Sequence, residues 1–539
     1  MSEVYEYTPN PPCNLPSGPC EPCSELAQME AQMDPGQKDL RVMHLAIRQR
    51  RNSIHCYINN LPYDIASYIF VLCLPPIYPS YRPPAECLAI ETPRPTLELC
   101  AVCHDWRSLA LSTPELWCRI SIKAGAPHFP SLSQRLQLAG PAPLFIRLKY
   151  SSCFDLLNPA RDTIAFVKQN LHRTRYLCLK LSNYYLERLE SQCKFDRPNA
   201  APLLQELHLH CIYPKKPYDL NLSILPRRVS IDGNIANFSN LNWDHVSHLT
   251  IGSGMSFNDI VPLLSKAKNV INFDVHLPIT SSTPPLAMMT HSSIQILTIR
   301  YDRGNGSILL LSHSTLPSLE KLIIFSLYPS FFLGLSQSCL SFLHRSACHL
   351  KSLDITFEEF NTCTLQALEV LLLQTPTIQE LSFRSSYWHW PNLKTLLERL
   401  RSVNNVSSDH GKNTLLPHLR KFSYHGRSNM HLDLFLDIMM NRSTSSDAFQ
   451  THQPMDELVI HYTNSNVKIR RTDLQRILQL RAAGKSVFVG ASCRDFWDCR
   501  TRDLVKLAME RYELEGHFVT VMPETYYGDW TLLENVIDD

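Results

Sequence analysis

A chain of 539 residues exceeds one ordinary core and is long enough for several domains or one extended repeat array. Its apolar share of 44% and charged share of 19% place it among folded proteins, and a formal net charge of +2 gives no electrostatic reason to expect nucleic acid or a membrane surface as partner. No apolar run reaches the roughly 18 residues of a membrane span, and the opening MSEVYEYTPNPPCNLPSG lacks the charged-then-apolar order of a secretory signal, so the expectation is a cytoplasmic or nuclear protein.

Residues 1–24 carry repeated proline, three cysteines and little apolar periodicity, which predicts a disordered tail. Over 25–56 the pattern turns helical, with Leu26, Met29 and Met33 and then Leu40, Met43 and Ile47, broken at Asp34-Pro35-Gly36. This reads as a helical or coiled-coil-like segment. A helix is expected from Leu61-Pro62-Tyr63-Asp64, where proline suits a helix start and the acid its positive end. Along that helix Ile65, Tyr68, Ile69, Leu72 and Cys73 make one apolar stripe, while Phe70 and Val71 put apolar surface on another side. A proline-rich stretch from Pro75 to Pro95 interrupts, and helical spacing resumes with Leu99, Val102, Cys103, Trp106 and Ala110, followed by Leu116 and Trp117. That is more apolar surface than a module of this size hides by itself. The following domain or a separate protein must cover it, since burying one large apolar side chain is worth roughly 1.5–3 kcal/mol.

Beyond residue 200 one pattern recurs nine times: an apolar residue, two others, an apolar residue, one other, an apolar residue. Its central and last members are Leu207/Leu209, Leu249/Ile251, Phe273/Val275, Leu297/Ile299, Leu322/Ile324, Leu353/Ile355, Leu381/Phe383, Phe422/Tyr424 and Leu458/Ile460. Leu177/Leu179 and Val229/Ile231 lack the first member. Most central positions lie 20 to 31 residues apart, near the leucine-rich-repeat period, with longer gaps before Phe422 and Leu458 that read as insertions. Helical runs such as Ile260–Ala267, Cys339–His344 and Leu365–Leu373 fall between triplets. One strand and one helix per unit predict parallel stacking into a solenoid with a long exposed face suited to proteins. The alternative is an ordinary α/β domain with unrelated strands. The asparagine or cysteine of the strict leucine-rich pattern is generally missing. Residues 485–539, with a possible strand at Val487–Val489 and an amphipathic helix near Leu504–Tyr512, read as a carboxy-terminal cap.

Taken together, Leu61-Pro62-Tyr63-Asp64-Ile65, Ile69-Phe70, Leu99-Cys100-Ala101-Val102-Cys103-His104-Asp105-Trp106 and Ser112-Thr113-Pro114-Glu115-Leu116-Trp117 resemble the F-box, in the F-box-like form common in fungi. Leu136 to Leu148 and the degenerate repeats are similar to the later parts of that group. Two departures are an aspartate, Asp64, where glutamate is common, and the proline-rich insert before Leu97. The resemblance implies an all-helical module, residues 57–122, that docks on the Skp-type adaptor of a cullin ubiquitin ligase, and a solenoid over 123–484 that holds an unknown protein substrate. The signature positions carried over are Leu61, Pro62, Ile65, Ile69, Phe70, Leu99, Val102, Trp106 and Trp117, some facing the adaptor and some the module's own core. The expected fold is therefore α/β: an all-helical F-box-like module followed by an α/β leucine-rich-repeat-like solenoid. The alternative function is a repeat scaffold with no ubiquitin-ligase link.

Other chemistry is set aside at this level. Cys100-Ala101-Val102-Cys103-His104 has the covalent haem-attachment spacing, but the F-box resemblance accounts for the segment. Cys20-x-x-Cys23 with Cys13 lacks a second close Cys/His pair for zinc. Gly484-Lys485-Ser486 ends like a phosphate loop, but Gln479 stands where its first glycine is needed. The histidines are scattered, and no hydrolase or dinucleotide motif is present. The expectation is no enzyme, no cofactor and no metal. The cysteines, at apolar positions such as Cys73, Cys178 and Cys211, read as reduced and mostly buried.

Overall fold

The structure is a computed structural model. It describes residues 61–74, 94–124, 129–150, 159–182, 201–212, 224–233, 241–252, 257–277, 288–301, 306–326, 329–388, 390–401, 415–427, 432–443, 454–463 and 467–492, with a few isolated positions and short pieces besides. The expected tail, the segment at 25–56 apart from Arg50, the proline-rich stretch between 75 and 93, Cys13, Cys20 and Cys23, and nearly all of the expected helix at Leu504–Tyr512 lie outside the described residues. The fold is α/β with a large parallel sheet, and the chain divides into two units near residue 164.

From Leu61 on, the described residues of the first unit form helices α1 (Tyr63–Cys73), α2 (Arg94–Val102) and α3 (His104–Leu111) and a 3-10 turn at Pro114–Leu116. Pro62 is the N-cap of α1, and its carbonyl accepts from the amides of Ile65 and Ala66, both at 3.0 Å. The apolar run from Leu99 to Ala110, expected as one helix, is two. Cys103 is extended, with φ −158° and ψ 176°, and its Sγ accepts from the Trp106 amide at 3.5 Å, so the thiol caps a new helix. Strand β1 (Arg119–Ala124), helix α4 (Phe129–Ala139) and strand β2 (Leu144–Tyr150) follow, β1 and β2 pairing in parallel. Helix α5 (Pro159–Asn170) spans the division between the units.

The second unit is built from strands β3 (Thr174–Ser182), β4 (Glu206–Ile212), β5 (Arg228–Asp232), β6 (His248–Ile251), β7 (Asn272–Leu277), β8 (Ile296–Tyr301), β9 (Lys321–Ser326), β10 (Ser352–Phe360), β11 (Glu380–Trp388), β12 (Lys421–Arg427), β13 (Glu457–Thr463) and β14 (Ser486–Ser492). They lie side by side in chain order, every neighbouring pair parallel. Parallel strands need crossovers. From β6 onward most of these are helices: α6 (Phe257–Lys266), α7 (Gly306–Ser312), α8 (Pro329–Ser346), α9 (Thr362–Leu373), α10 (Trp390–Arg401), α11 (Leu432–Ser443) and α12 (Arg471–Ala482). Consecutive helices pack on one another. Helix α9 starts in a reciprocal cap: Asn361 Oδ1 accepts from the Thr364 amide at 3.0 Å, and the Asn361 amide donates to Thr364 Oγ1 at 2.8 Å.

The register explains the repeated triplet. Its central members are direct neighbours through the sheet: Leu177, Leu207, Val229, Leu249, Phe273, Leu297, Leu322, Leu353, Leu381, Phe422, Leu458 and then Val487. All are buried, on the side that meets the helices; Phe422 and Tyr424 both contact Phe435 of α11. The two weaker triplets are full members, and β14 continues the same ladder past the boundary expected at residue 484. At the strand entries, two successive amides share the carbonyl of the residue just before the preceding strand. Arg227 and Arg228 donate to Gln205, Lys351 and Ser352 to Glu320, and Asp456 and Glu457 to Arg420, with the same pairing at every strand between.

Cys178 and Cys211 are buried free thiols as expected, whereas Cys73 is exposed, because α1 turns its Ala66–Phe70–Leu74 side inward. A buried arginine ties the last helices together. Arg442, in the last turn of α11, donates to the carbonyl of Leu400 at the end of α10 and to those of Leu415 and Leu416 at 2.8 Å each. Leu416 has a left-handed backbone with φ 53°, and the guanidinium holds its carbonyl in place. Burial lowers the Arg442 pKa to about 10, which leaves it charged at neutral pH. Substituting Arg442→Met strands these acceptors and is expected to cost about 3 kcal/mol in urea unfolding. Lys351→Ala, which removes an exposed ion pair to Glu320, is expected to cost under about 1 kcal/mol.

Candidate functional site

Two surfaces carry chemistry, one on each unit. In the helical module Phe70 is fully buried and its ring lies 4.9 Å from that of Trp106, while Trp117 is buried with its indole nitrogen donating to the Ala110 carbonyl at 2.8 Å. Thr113 Oγ1 ties α3 to α1, donating to the Leu109 carbonyl at 2.7 Å and lying 3.1 Å from Ser67 Oγ. The structure thus sorts the nine signature positions. Phe70, Leu99 and Trp117 form the core, Ile69 and Trp106 are half-buried, and Leu61, Pro62, Ile65 and Val102 are exposed.

The exposed members have company. Of the fourteen large apolar side chains that are exposed among the described residues, eight fall between Leu61 and Leu111, so the surplus is concentrated in one small module. On α1 they are Tyr63, Ile65, Tyr68 and Leu72, with Leu61 just before the helix; Ile65, Tyr68 and Leu72 are spaced three and four residues apart and therefore share one face. Ile65 is 49% exposed, Tyr68 62% and Leu72 63%; Leu97 and Val102 of α2 are also more than half exposed. The helix buries its narrower apolar stripe, Ala66, Phe70 and Leu74, and leaves the richer one in solvent. Tyr68 and Leu72 escaped the motif reading, although their spacing to Ile65 was visible in the sequence.

The second surface is the sheet face opposite the buried ladder, made by the residues between and just after the apolar pairs. Asp274 and Arg300 form a two-point ion pair, with Nε to Oδ1 at 2.9 Å and Nη2 to Oδ2 at 2.8 Å, and the guanidinium lies 5.4 Å from the Phe325 ring centre. Asp354 pairs with Arg384 at 3.0 Å, and Asp232 with His210. Further along, the His425 and His461 rings stack at 4.3 Å with 17° between their planes, and the Phe488 ring is 5.1 Å from His461. Burial, then His461, then Arg384 lower the His425 pKa to about 2. Burial and Arg384 lower that of His461 to about 4. A long exposed face was expected from the sequence, but none of these residues was named, although they recur between and just after the apolar pairs.

No group of three or more His, Cys, Asp or Glu side chains suited to a metal ion occurs among the described residues. Cys100, Cys103 and His104 sit at the α2–α3 junction with His104 pointing to solvent and Cys103 engaged as a cap. None of the described helices is long and apolar enough to cross a membrane. No model of a known protein family matches the chain, and no curated protein matches it either.

Core and exposed positions respond differently to substitution. Phe70→Ala is expected to cost about 3–5 kcal/mol of module stability. Tyr68→Glu or Leu72→Glu should change it by about 0.5 kcal/mol or less. Denaturant titration followed by Trp106 and Trp117 fluorescence distinguishes the two.

Proposed function

We propose that the chain is an F-box-like substrate adaptor: its helical module docks on a Skp-type adaptor of a cullin ubiquitin ligase, and its leucine-rich-repeat-like solenoid holds a protein target, with no catalysis or cofactor of its own. The observation that carries this reading is the uncovered stripe of Leu61, Ile65, Tyr68 and Leu72 on a module whose own core is complete without it. Covering the exposed half of each such side chain is worth on the order of 1 kcal/mol, so several together support a specific interface. The polar, ion-paired sheet face supports the second half of the reading, because a repeated strand presents its outward residues side by side for a target to contact.

Co-expression with a Skp-type adaptor tests it. The expected outcome is a one-to-one complex in size-exclusion chromatography that Ile65→Glu with Tyr68→Glu abolishes while the chain remains folded by circular dichroism. A complex that survives the double substitution removes the α1 face from the proposal. Wild-type chain that elutes alone favours a repeat scaffold without a ligase link.

A further inference from the structure

We propose that the stacked pair His425 and His461 makes strands β12 to β14 acid-labile, so that mild acid opens this end of the parallel sheet while β7 to β10 hold. The two imidazoles stand at paired positions on adjacent parallel strands and lie face to face at 4.3 Å, which leaves no layer of water between them. The groups around them are poor hosts for a cation. On one side β11 presents Arg384, directly paired with His425, and the carboxylate behind it, Asp354 of β10, is already engaged by that guanidinium. On the other side β14 presents Phe488 and Gly490, the latter paired with His461. The outward residues two places earlier on β12 and β13 are Ser423 and Val459. At the strand entries Lys421 is paired with Glu457, and Asp456 lies between Arg420 and Lys485. His461 Nδ1 is buried and has no hydrogen-bond partner among the described residues, so a proton gained there finds no acceptor in them.

A proton on either ring therefore meets a guanidinium and a second imidazole across a desolvated gap. Both groups are held below the ordinary histidine value, to about 2 for His425 and about 4 for His461, mainly by burial. Lowered values mean that the open state binds protons the closed state refuses. The stability from keeping the pair neutral is complete above about pH 6.5 and falls as the pH drops below it. Asp473 of α12 works in the opposite sense. Burial and Asp433 raise its pKa above the ordinary carboxylate value, so protonation there favours the folded state and cannot produce the acid opening. The inference is independent of what docks on the helical module.

Hydrogen exchange of the full chain at about pH 7.5 and about pH 5, corrected for intrinsic rates, measures the effect. Each histidine contributes roughly a 30-fold rise in opening at the lower pH, so peptides from β12 to β14 should lose protection on the order of 10²-fold or more, against about threefold or less for β7 to β10. The double substitution His425→Phe, His461→Phe should keep its protection near pH 7.5 and lose the acid response. Uniform loss along the sheet, or an undiminished acid response in the folded double variant, overturns the proposal. Imidazole nitrogen NMR of the wild-type chain gives a check that needs no variant. Two rings that stay neutral at pH 6 support the proposal, and two that titrate near pH 6.5 with the strands intact overturn it.

Discussion

The structure of the large unit depends on register. Because each strand sets its central apolar residue directly beside the equivalent residue of the next, from Leu177 to Val487, no strand buries that residue without both neighbours. A slip of one position in any strand would send its apolar pair to the other face and bring residues such as Asp274 or Asp354 against the helices. The shared carbonyls at the strand entries reinforce this: one oxygen of each unit, at Gln205, Glu320 or Arg420 for instance, takes two amides of the next and so fixes where the following strand begins. Register is thus set by main chain at one end and by apolar packing in the middle. The strand exits are left free to carry insertions and helices of different length, from the seven residues of α7 to the eighteen of α8.

This division explains which parts could be read in advance. Positions such as Leu297 and Ile299 were legible because burial on the helix side admits only apolar side chains of suitable size, and the pattern survives even where the spacing between units changes. The outward residues follow no such rule. His425 and His461 become neighbours only through strand pairing, and Arg384 joins them from a third strand, so their shared environment exists nowhere in the local sequence. The value of the face is in combinations, and combinations require the register first.

The helical module was legible in content and less so in detail. Periodicity located the apolar stripes of α1, yet it could not say which one turns inward. The side that turns inward carries Ala66, Phe70 and Leu74, and there the Phe70 ring lies against that of Trp106. The break at Cys103 was invisible for a different reason. Helical spacing continues across it from Leu99 to Ala110, and cysteine is not among the preferred capping residues. What ends α2 is one extended residue whose thiol takes the Trp106 amide, and the new helix direction brings Trp106 onto Phe70.

The two units therefore treat apolar surface in opposite ways. In the sheet unit every member of the central ladder is covered by construction, and Arg345 and Arg442 reach back from one helix to a carbonyl in the last turn of the one before, Leu311 and Leu400. In the module the core closes around Phe70 and Trp117 with Leu61, Ile65, Tyr68 and Leu72 still in solvent. Folding alone gives no reason to keep Ile65, Tyr68 and Leu72 on one exposed helix face with Leu61 just before it, where polar residues would improve solubility at no cost to the core. Among the described residues the exposed large apolar side chains of the sheet unit, such as Leu203, Ile271 and Val370, are scattered along the chain, whereas those of the module cluster on and around one helix.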